Sequence, residues 1–327
     1  MKNYFSFNLT GKKLFPVWLL MFVFYFVPYG FIQTKLRGFD NVQGQDPQEV
    51  LENFSSMAAL FGAMIVVIII GYSILFYWTK MTIEAVGFKE KVLVFAGKFR
   101  GYFGILISGA LLSIITAGIY SPWFATRLCK FFARNTSHDA ESIEFKGEGG
   151  DLFVIIACTL ILPIILAVII SLSFSANRVL SGEYTQDTVA GIISIIMMIV
   201  TFIVFIPYIY YVYKWAVNLE FKNYSIRWET AFWDSAATIF GQIILSILTL
   251  GIYAPLASLK IYKYFAERTV ARSETGSKSF GYDIEPGQDF LFIWGQCLLS
   301  IITIGFYSPW AYCKITERVL RKTYTEE

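Results

Sequence analysis

The side chains that could do acid–base, metal or phosphate chemistry are few and scattered along the chain. His138 is the single histidine, in a polar segment with Asp139 and Glu141. A metal site needs three or four ligands, so we interpret His138 as a solvated loop residue. The segment Glu148-Gly-Gly-Asp151 lacks the Gly-Lys-Ser/Thr ending of a phosphate-binding loop. We therefore predict no catalytic residue, no metal site and no cofactor, and interpret the protein as a non-enzyme.

The elements that would position any site are apolar blocks of membrane-spanning length. Hydrophobic residues make up 56% of the chain and charged residues 16%, whereas a soluble domain carries about 25% charge. The blocks are roughly 20 residues long, enough to cross a hydrocarbon core as helix. Seven such blocks contain no Asp, Glu, Lys or Arg: Leu14–Ile32, Met57–Thr79, Tyr102–Ala125, Leu152–Ser175, Val189–Tyr213, Ala236–Leu259 and Phe290–Cys313. This pattern indicates an integral membrane protein whose basic loops face lipid headgroups rather than nucleic acid.

A thirteen-residue motif recurs three times. Leu111–Trp123 reads LLSIITAGIYSPW, Leu298–Trp310 matches it at eleven of thirteen positions, and Ile244–Leu256 matches it at eight. Because Gly loosens the backbone and Pro disfavours helix at the preceding residue, each copy predicts a helix end or sharp break. The predicted break residues are Gly118, Tyr120, Pro122, Trp123, Gly251, Tyr253, Pro255, Gly305, Tyr307, Pro309 and Trp310.

A basic residue follows each motif proline by five positions. These residues, Arg127, Lys260 and Lys314, are expected at interface depth, near headgroups or the carbonyls freed by the break. The motif is either a repeated membrane-interface corner, a set of broken helices lining a common site, or a docking surface for a partner. Gln242 and Gln296 occupy equivalent positions before the second and third copies and are the candidate polar residues of such a cavity.

A second element precedes the apolar blocks. Short alternating runs end in an aromatic residue and suggest β-hairpins outside the membrane; these aromatics are Phe7, Phe95, Phe145 and Tyr282, with Trp228 as a degenerate fifth.

The combination of G-I-Y-x-P-W, a basic helix, a Thr and an F-x-Y/F-x-G strand resembles the YjgN-like inner membrane proteins of bacteria. The resemblance is most specific at Gly118–Trp123, Gly251–Leu256 and Gly305–Trp310. The second copy departs from it, with Ala254 in place of Ser and Leu256 in place of Trp. The family is known chiefly as a domain of unknown function. The resemblance therefore implies a bacterial inner membrane location and this architecture, but no activity.

Two topologies fit the seven blocks. If all seven cross, basic residues divide evenly between the two sides, against the positive-inside rule. If the motif-bearing segments enter and leave on one side, only four blocks cross. Of the 27 lysines and arginines, the outer segments then hold just Lys35, Arg37 and Arg178. We favour the four-span arrangement, in which both termini and all hairpins are cytoplasmic.

These inferences combine into one prediction of fold and function. The fold class is an all-α polytopic membrane protein with internal repeats and short extramembrane β-hairpins. A single membrane domain, 1–327, contains motif modules at 92–136, 226–269 and 280–323 and helical hairpin pairs at 14–79 and 152–213. The predicted activity is non-enzymatic transport or binding of a small or lipid-like molecule. The alternative is a structural protein that recruits partners or organises lipid through its hairpins and basic helices. Partners are membrane lipids, with a homo-oligomer or protein partner left open.

Overall fold

The computed structural model describes residues 2–37, 47–180, 186–274 and 276–326. Its helices occur in antiparallel pairs that alternate with short strands along the chain. The helices are α1 (Gly11–Met21), α2 (Val27–Arg37), α3 (Pro47–Ala85), α4 (Phe99–Ile115), α5 (Ser121–Arg134), α6 (Gly149–Ile156), α7 (Leu162–Leu180), α8 (Gln186–Ala216), α9 (Phe232–Leu248), α10 (Ala254–Glu267), α11 (Pro286–Ile302) and α12 (Ser308–Arg321). The π-helical turns Phe22–Phe26 and Ala157–Ile161 join α1 to α2 and α6 to α7.

The strands of the described residues form one antiparallel sheet of eleven strands. They are β1 (Lys2–Phe7), β2 (Val86–Phe88), β3 (Lys91–Val92), β4 (Val94–Phe95), β5 (Thr136–His138), β6 (Glu141–Phe145), β7 (Leu219–Phe221), β8 (Tyr224–Trp228), β9 (Thr269–Ser273), β10 (Gly276–Tyr282) and β11 (Thr323–Glu326). Their spatial order is β3-β2-β1-β11-β10-β9-β8-β7-β6-β5-β4. Strands adjacent in the chain therefore pair with each other, except β3 and β4 at the two ends of the sheet, and β1 pairs with β11.

The sheet curves into a nearly closed barrel. Its two outermost strands, β3 and β4, are separated in sequence by the single residue Leu93, whose N–H donates to the carbonyl of Val86 at 2.8 Å. Residues 91–95 therefore act as one bent strand that pairs with β2 by its first half and with β5 by its second. We call this nearly closed structure the β-ring.

The β-ring overturns the predicted fold class. The protein is not an all-α membrane protein with only short separate hairpins, because the predicted hairpins are parts of one continuous sheet. The physical reason is that a two-stranded hairpin is marginal in water, and three or more strands are needed for independent stability. Here each short strand gains a second neighbour from a different hairpin, and β1 finds its second neighbour in β11, across almost the whole chain.

Across the described residues, the chain builds the ring from five units of the same plan, each a strand, a pair of helices and a returning strand. The units are 2–88, 91–138, 141–221, 224–273 and 276–326, and we number them one to five. Neighbouring units also pack through their helices, α3 against α4, α5 against α6, α8 against α9, α10 against α11 and α12 against α1. The helix pairs therefore form a second ring above the β-ring, in the same order.

Units one and three carry the long helices. Among the described residues, four helical stretches are long and apolar enough to cross a membrane: Gly11–Leu36, Phe54–Ala85, Gly149–Ser173 and Gly191–Ala216. The helix pairs of units two, four and five are shorter and contain the three copies of the motif. Both ends of every helix pair join the same β-ring, so each pair returns to the face from which it left.

The junction between β1 and β11 is clamped on the outer face of the ring. Lys2 Nζ and the Tyr4 hydroxyl donate to the carboxylate of Asp283, at 2.9 and 2.8 Å. Lys2 also lies over the ring of Tyr324, with its Nζ 3.9 Å from the ring centre. The Tyr324 ring in turn covers Gly281 so closely that a Cβ there would lie 2.4 Å from its Cζ. These contacts fix the strand pair on which ring closure depends.

One contact between the first and second helices differs in chemistry among the three motif units. Its two positions lie seven residues after the strand aromatic and nine after the motif proline. Unit two places the rings of Tyr102 and Phe131 there, 6.0 Å apart, and unit four a Ser235–Tyr264 hydroxyl pair at 3.0 Å. Unit five has an ion pair, in which Arg318 Nε donates to the buried Asp289 at 2.6 Å. Lys322 adds a second bond at 2.6 Å, which offsets the cost of burying the carboxylate.

The motif tryptophans join neighbouring units. Trp123 lies on Gly149, the first residue of α6, and its ring stacks on Phe153 with centres 5.3 Å apart. Trp310 contacts Gly11, the first residue of α1, in the same way. In both places a Cβ on the glycine would approach within 2.5 Å of the indole ring. The absent side chain therefore allows the close approach of the two units.

We predict that Gly149→Ala destabilises the protein and that the neighbouring Gly150→Ala does not. The added methyl group at Gly149 collides with Trp123, and overpacking of this kind costs roughly 1–3 kcal/mol. At Gly150 the same methyl group meets no atom within 4 Å. Thermal unfolding in one detergent would measure both variants. Equal midpoints would show that Trp123 moves away from the added methyl group without loss of stability.

Candidate functional site

The inner face of the β-ring is organised in three layers, because alternate residues of each strand point to the same side. The layer nearest the helices holds the five strand aromatics and is called the floor layer. All five are buried, at 1–5% exposure: Phe7, Phe95, Phe145, Trp228 and Tyr282. Their cross-strand partners are Val86, Thr136, Leu219, Thr269 and Thr323.

The middle layer lies two residues further from the helices on each strand. Its cross-strand pairs are Phe5–Phe88, Ile143–Phe221, Ile226–Ala271 and Phe280–Thr325. Leu93 and His138 continue the register of β4 and β5 as a fifth pair. All ten of these residues line a cavity of about 250 Å³, together with Leu219, Tyr224 and Lys278. The cavity therefore occupies the centre of the β-ring.

The size of the ring explains why its centre is not filled. A closed barrel of about eight strands is just wide enough for its own side chains to fill the interior or to hold one small ligand. The β-ring has more strands, and two of its middle-layer residues, Ala271 and Thr325, are small. The aromatic side chains of Phe5, Phe88 and Phe221 line the cavity without closing it. This arrangement is a concave, mostly apolar site of the kind that binds small molecules.

Polar groups reach the cavity at few places. His138 Nε2 lies 3.0 Å from the carbonyl oxygen of Phe88, and its ring packs near Phe88 and Phe221 with centres 5.9 and 6.0 Å away. His138 is thus part of the ring wall rather than the solvated loop residue that we predicted. Lys278 lies at the open end of the ring, with its Nζ 5.0 Å from the ring centre of Tyr224.

The floor layer contains two polar groups of its own. Trp228 Nε1 and the Tyr282 hydroxyl are buried and, within the described part of the chain, have no hydrogen-bond partner. In contrast, the floor-layer threonines Thr136, Thr269 and Thr323 each donate to the carbonyl four residues earlier.

Ion pairs link the turns at the open end of the ring. Asp139, between β5 and β6, bonds Lys91 on one side and Lys222 at 3.3 Å on the other. The hydrogen bonds from Lys91 and then Lys222 lower the pKa of the Asp139 carboxyl. Three neighbouring turns are thereby linked around one part of the mouth.

The three motif copies have the same backbone geometry. The first helix ends at Ile115, Leu248 or Ile302, and the second begins at Ser121, Ala254 or Ser308, with Pro in its first turn. At each turn the glycine is left-handed and its N–H donates to the serine carbonyl five residues earlier. The glycines are Gly118, Gly251 and Gly305, with φ of 89°, 84° and 85° and distances of 2.6, 2.7 and 2.7 Å. The motif is therefore a tight reversal between antiparallel helices.

The motif threonine completes each reversal. Thr116 Oγ1 donates to the carbonyl of Leu112 at 2.7 Å and accepts from the N–H of Tyr120 at 3.0 Å. Thr249 and Thr303 make the same pair of bonds in their copies. One side chain thus bonds backbone groups of both helices, and it satisfies the tyrosine N–H at the start of the second helix.

The basic residues after the motif all meet the motif tyrosine. Arg127 Nη1 donates to the Tyr120 hydroxyl at 3.2 Å, and Lys314 Nζ to that of Tyr307 at 2.9 Å. Lys260 Nζ lies 5.4 Å from the ring centre of Tyr253. Their described partner is therefore the tyrosine, and the expected position at interface depth, near headgroups or freed carbonyls, stays a prediction. Because the tyrosine lies two residues before the proline, the constant offset of five from the proline keeps the basic residue seven positions after the tyrosine.

The two glutamines meet the same tyrosines from the other helix. Gln242 Oε1 accepts from Tyr253 at 2.9 Å, and Gln296 Oε1 accepts from Tyr307 at 3.0 Å. Gln242 also lines a shallow groove between α9 and α10, within its own helix pair. The position equivalent to the glutamines in unit two is Gly109, which is covered by the ring of Phe124.

The motif turns themselves are apolar and exposed. Leu250 is 94%, Ile304 85% and Ile115 77% exposed. Such contiguous apolar surface at the end of a helix pair is suited to contact with lipid tails.

The ring cavity was missed by sequence reasoning, although its signal was present. The runs ending in Phe7, Phe145 and Tyr282 alternate between an inner and an outer face, and Phe5, Ile143 and Phe280 are the preceding inner residues. The pairing of these runs around a ring could not be read from the runs alone. Within the described residues, His, Cys, Asp and Glu form no group of three that could hold a metal ion.

We predict that Tyr307→Phe destabilises the protein more than Tyr120→Phe. The Tyr307 hydroxyl bonds both Gln296, which is buried, and Lys314, whereas the Tyr120 hydroxyl bonds only the exposed Arg127 among the contacts described. Loss of a partner for a buried amide costs about 1–3 kcal/mol. Unfolding in detergent measures the difference. A larger loss of stability for Tyr120→Phe would show that the hydrogen bond from Tyr307 to Gln296 does not stabilise the protein.

Comparison with known proteins identifies a family, and the match includes the first two motif copies. A family model described as a bacterial protein of unknown function, DUF898, matches residues 90–154 and 151–283, more than half of the chain. Inner membrane protein YjgN of Salmonella typhimurium is 34% identical over 73 residues, which cover 22% of this chain and 18% of that protein. No solved structure matches. The resemblance inferred from the motifs is thereby confirmed, and the chain belongs to the DUF898 family of YjgN-like bacterial inner membrane proteins.

Proposed function

We propose that this protein is a multi-pass protein of the bacterial inner membrane that binds an apolar, lipid-like molecule in the cavity of a cytoplasmic β-ring. The observation that carries the proposal is the middle layer, in which all ten residues line one cavity and eight are apolar. The outer face of the same strands is polar, with ion pairs such as Lys146 to Glu144 and Glu220. A ring that is polar outside and apolar inside suits an aqueous compartment and an apolar ligand.

The membrane arrangement is supported by the topology of the ring. Because every helix pair begins and ends in the β-ring, the ring must lie on one side of the bilayer. The four long helices of units one and three then cross as two pairs, and the motif pairs of units two, four and five enter and return. The outer segments hold only Lys35, Arg37 and Arg178 of the 27 basic residues. Under the positive-inside rule, this distribution of charge supports a cytoplasmic position of the ring.

The alternative is a structural role, in which the protein organises lipid without holding a ligand. Its supporting observation is the exposed apolar surface of the three motif turns, centred on Ile115, Leu250 and Ile304. Three such turns on one side of the bilayer displace lipid tails there. The two roles differ in one respect: a scaffold does not need an open ring cavity.

The first test concerns sidedness. β1 pairs with β11, with Lys2 opposite Glu326, so reporters fused to either end must report the same compartment. We expect a fluorescent protein to be active at both ends and alkaline phosphatase at neither. A cysteine placed within 181–185 should react with an impermeant maleimide added from the periplasmic side. Termini in different compartments would contradict the proposed arrangement.

The second test concerns the cavity. A photoreactive decanol, which is neutral, is added to the protein in lipid nanodiscs, and labelled peptides are identified by mass spectrometry. We expect labels on middle-layer residues such as Phe280 and Phe5. Ala271→Phe fills the cavity from one wall and should reduce ring labelling about tenfold, a difference of roughly 1.4 kcal/mol.

Val270→Phe is the matched control, because Val270 precedes Ala271 on β9 and faces the outside of the ring. It should label like the wild type. Labels confined to helices in the wild type, or ring labels unchanged by Ala271→Phe, would favour the structural role instead.

A further inference from the structure

The helix pair of unit two differs in charge from those of units four and five. The three pairs occupy equivalent windows, 96–135, 229–268 and 283–322, each of which runs from the residue after the floor aromatic to the residue before the floor threonine. The windows of units four and five balance three cations with three carboxylates and four with four, whereas the window of unit two has five cations and no Asp or Glu. The five cations are Lys98, Arg100, Arg127, Lys130 and Arg134. The motif is common to all three units and does not account for this difference.

All five cations of unit two are exposed, and within the described part of the chain none of them makes an ion pair. Arg127 donates to the Tyr120 hydroxyl, and a bond to a hydroxyl does not neutralise the guanidinium. In unit five, by contrast, Arg318 and Lys322 both bond the carboxylate of Asp289. The charge of unit two therefore reaches the surface without a described counter-charge.

Three of the cations form one side of α5. Arg127, Lys130 and Arg134 follow each other at spacings of three and four, which places them together on the helix surface. Apolar residues on another side of α5 pack against the buried cluster around Phe76; they are Phe124, Leu128, Phe131 and Phe132. This packing fixes the rotation of α5. Like charges at these spacings destabilise a helix, and an anion bound between them offsets the repulsion. We call the three α5 cations the cationic face.

The cationic face lies at the end of the helix pairs that adjoins the β-ring. Near the start of α5, Trp123 contacts Gly149, the first residue of α6. Beyond its other end, the carbonyl of Asn135 accepts from the N–H of Ala96 at 2.9 Å. Both contacts involve residues within four positions of a strand end, and the three α5 cations lie between them. In the proposed membrane arrangement, this level is the headgroup region of the cytoplasmic leaflet.

Two carboxylates of unit three lie near the start of α5. Glu148 and Asp151 lie on either side of Gly149 in the chain and so belong to the Trp123 end of the helix. In the described structure, neither makes an ion pair with a cation of unit two. The surface around α5 therefore keeps an excess of positive charge.

We propose that the helix pair of unit two binds an anionic phospholipid of the cytoplasmic leaflet, whose phosphate is held by the cationic face. Each Lys or Arg near an anionic bilayer surface favours binding by about fivefold, and arginine adds paired bonds to phosphate oxygens. Ile115 and Ile119 of the same unit are 77% and 59% exposed. The helix pair thus offers apolar contact, which a lipid uses and a soluble polyanion does not. This inference rests on the proposed membrane arrangement and not on the ligand of the ring.

The experiment compares two photoreactive lipids that have the same chains and a diazirine near the headgroup, a phosphatidylglycerol and a phosphatidylcholine. Each is placed in nanodiscs that hold the full-length protein, and labelled peptides are quantified by mass spectrometry. In window 96–135 we expect about tenfold more label from phosphatidylglycerol, and in windows 229–268 and 283–322 about equal label from the two lipids. Added salt, at about 0.5 M, should weaken the preference because it screens exposed charges.

Two double variants at equivalent positions test which cations are responsible. Arg127→Gln combined with Lys130→Gln should lower the preference in unit two to about twofold. Lys260→Gln combined with Lys263→Gln removes the corresponding cations of unit four and should leave the preference in unit two unchanged. Labelling by phosphatidylcholine that persists in each variant shows that its helix pairs are still folded in the bilayer.

Three results would each overturn the inference: equal labelling of unit two by both lipids, the same preference in all three windows, or a preference that the unit-two variant retains. Oligouridylate provides a further test in phosphatidylcholine nanodiscs. If it binds the wild type and not the unit-two variant, the occupant is a nucleic acid instead. Because both sides of a nanodisc carry the same lipid, these results do not depend on the side of the ring or on decanol labelling of its cavity. Failure here therefore differs from failure of the proposed function.

Discussion

Closure of the β-ring is the constraint on which the other features depend. Strands of two to seven residues cannot satisfy their backbone hydrogen bonds or bury an apolar face with a single neighbour. Each strand here has its two neighbours only because the bent strand around Leu93 joins the ends of the sheet and β1 meets β11. Closure fixes the start and end of every helix pair on one face. The direction of the helices, the position of the cavity and the clustering of basic residues all follow from that.

One unit plan gives both long and short helix pairs, and the backbone near the proline differs between them. In unit one the helix passes Pro28 after a π-helical turn at Phe22–Phe26, which accommodates the lost hydrogen bond without ending the helix. In the motif units, a left-handed glycine two residues before the tyrosine reverses the chain before the proline starts a new helix. The proline alone therefore does not break the helix; the Ser, Thr and Gly before it do, through their bonds to the turn.

The sequence was informative wherever the signal is local. The three reversals depend on residues within thirteen positions of each other, and the five floor aromatics recur at the ends of alternating runs. Ring closure is not local, because the partner of Lys2 is Glu326 and the partner of Phe145 is Leu219. The cavity depends on that closure, so His138 was interpreted as a loop residue although it is one of ten wall positions. The partners of Arg127 and Lys314 were missed for a different reason. Each partner is the tyrosine seven residues earlier, at the N-terminus of the second helix, and the start of that helix could not be placed from the sequence.

The five-unit plan links repeat number to the width of the bore. When residues 91–95 are counted as one bent strand, each unit contributes two strands, and the diameter of a closed barrel grows with the number of strands. Gain or loss of one unit would therefore widen or narrow the bore in a discrete step, while every floor aromatic and every inter-unit contact kept its local geometry. Substitution inside the middle layer, such as Ala271 against Phe221, adjusts the shape of the space at fixed diameter. Gene duplication and point mutation thus act on two separable properties of the same cavity, its diameter and the side chains that line it.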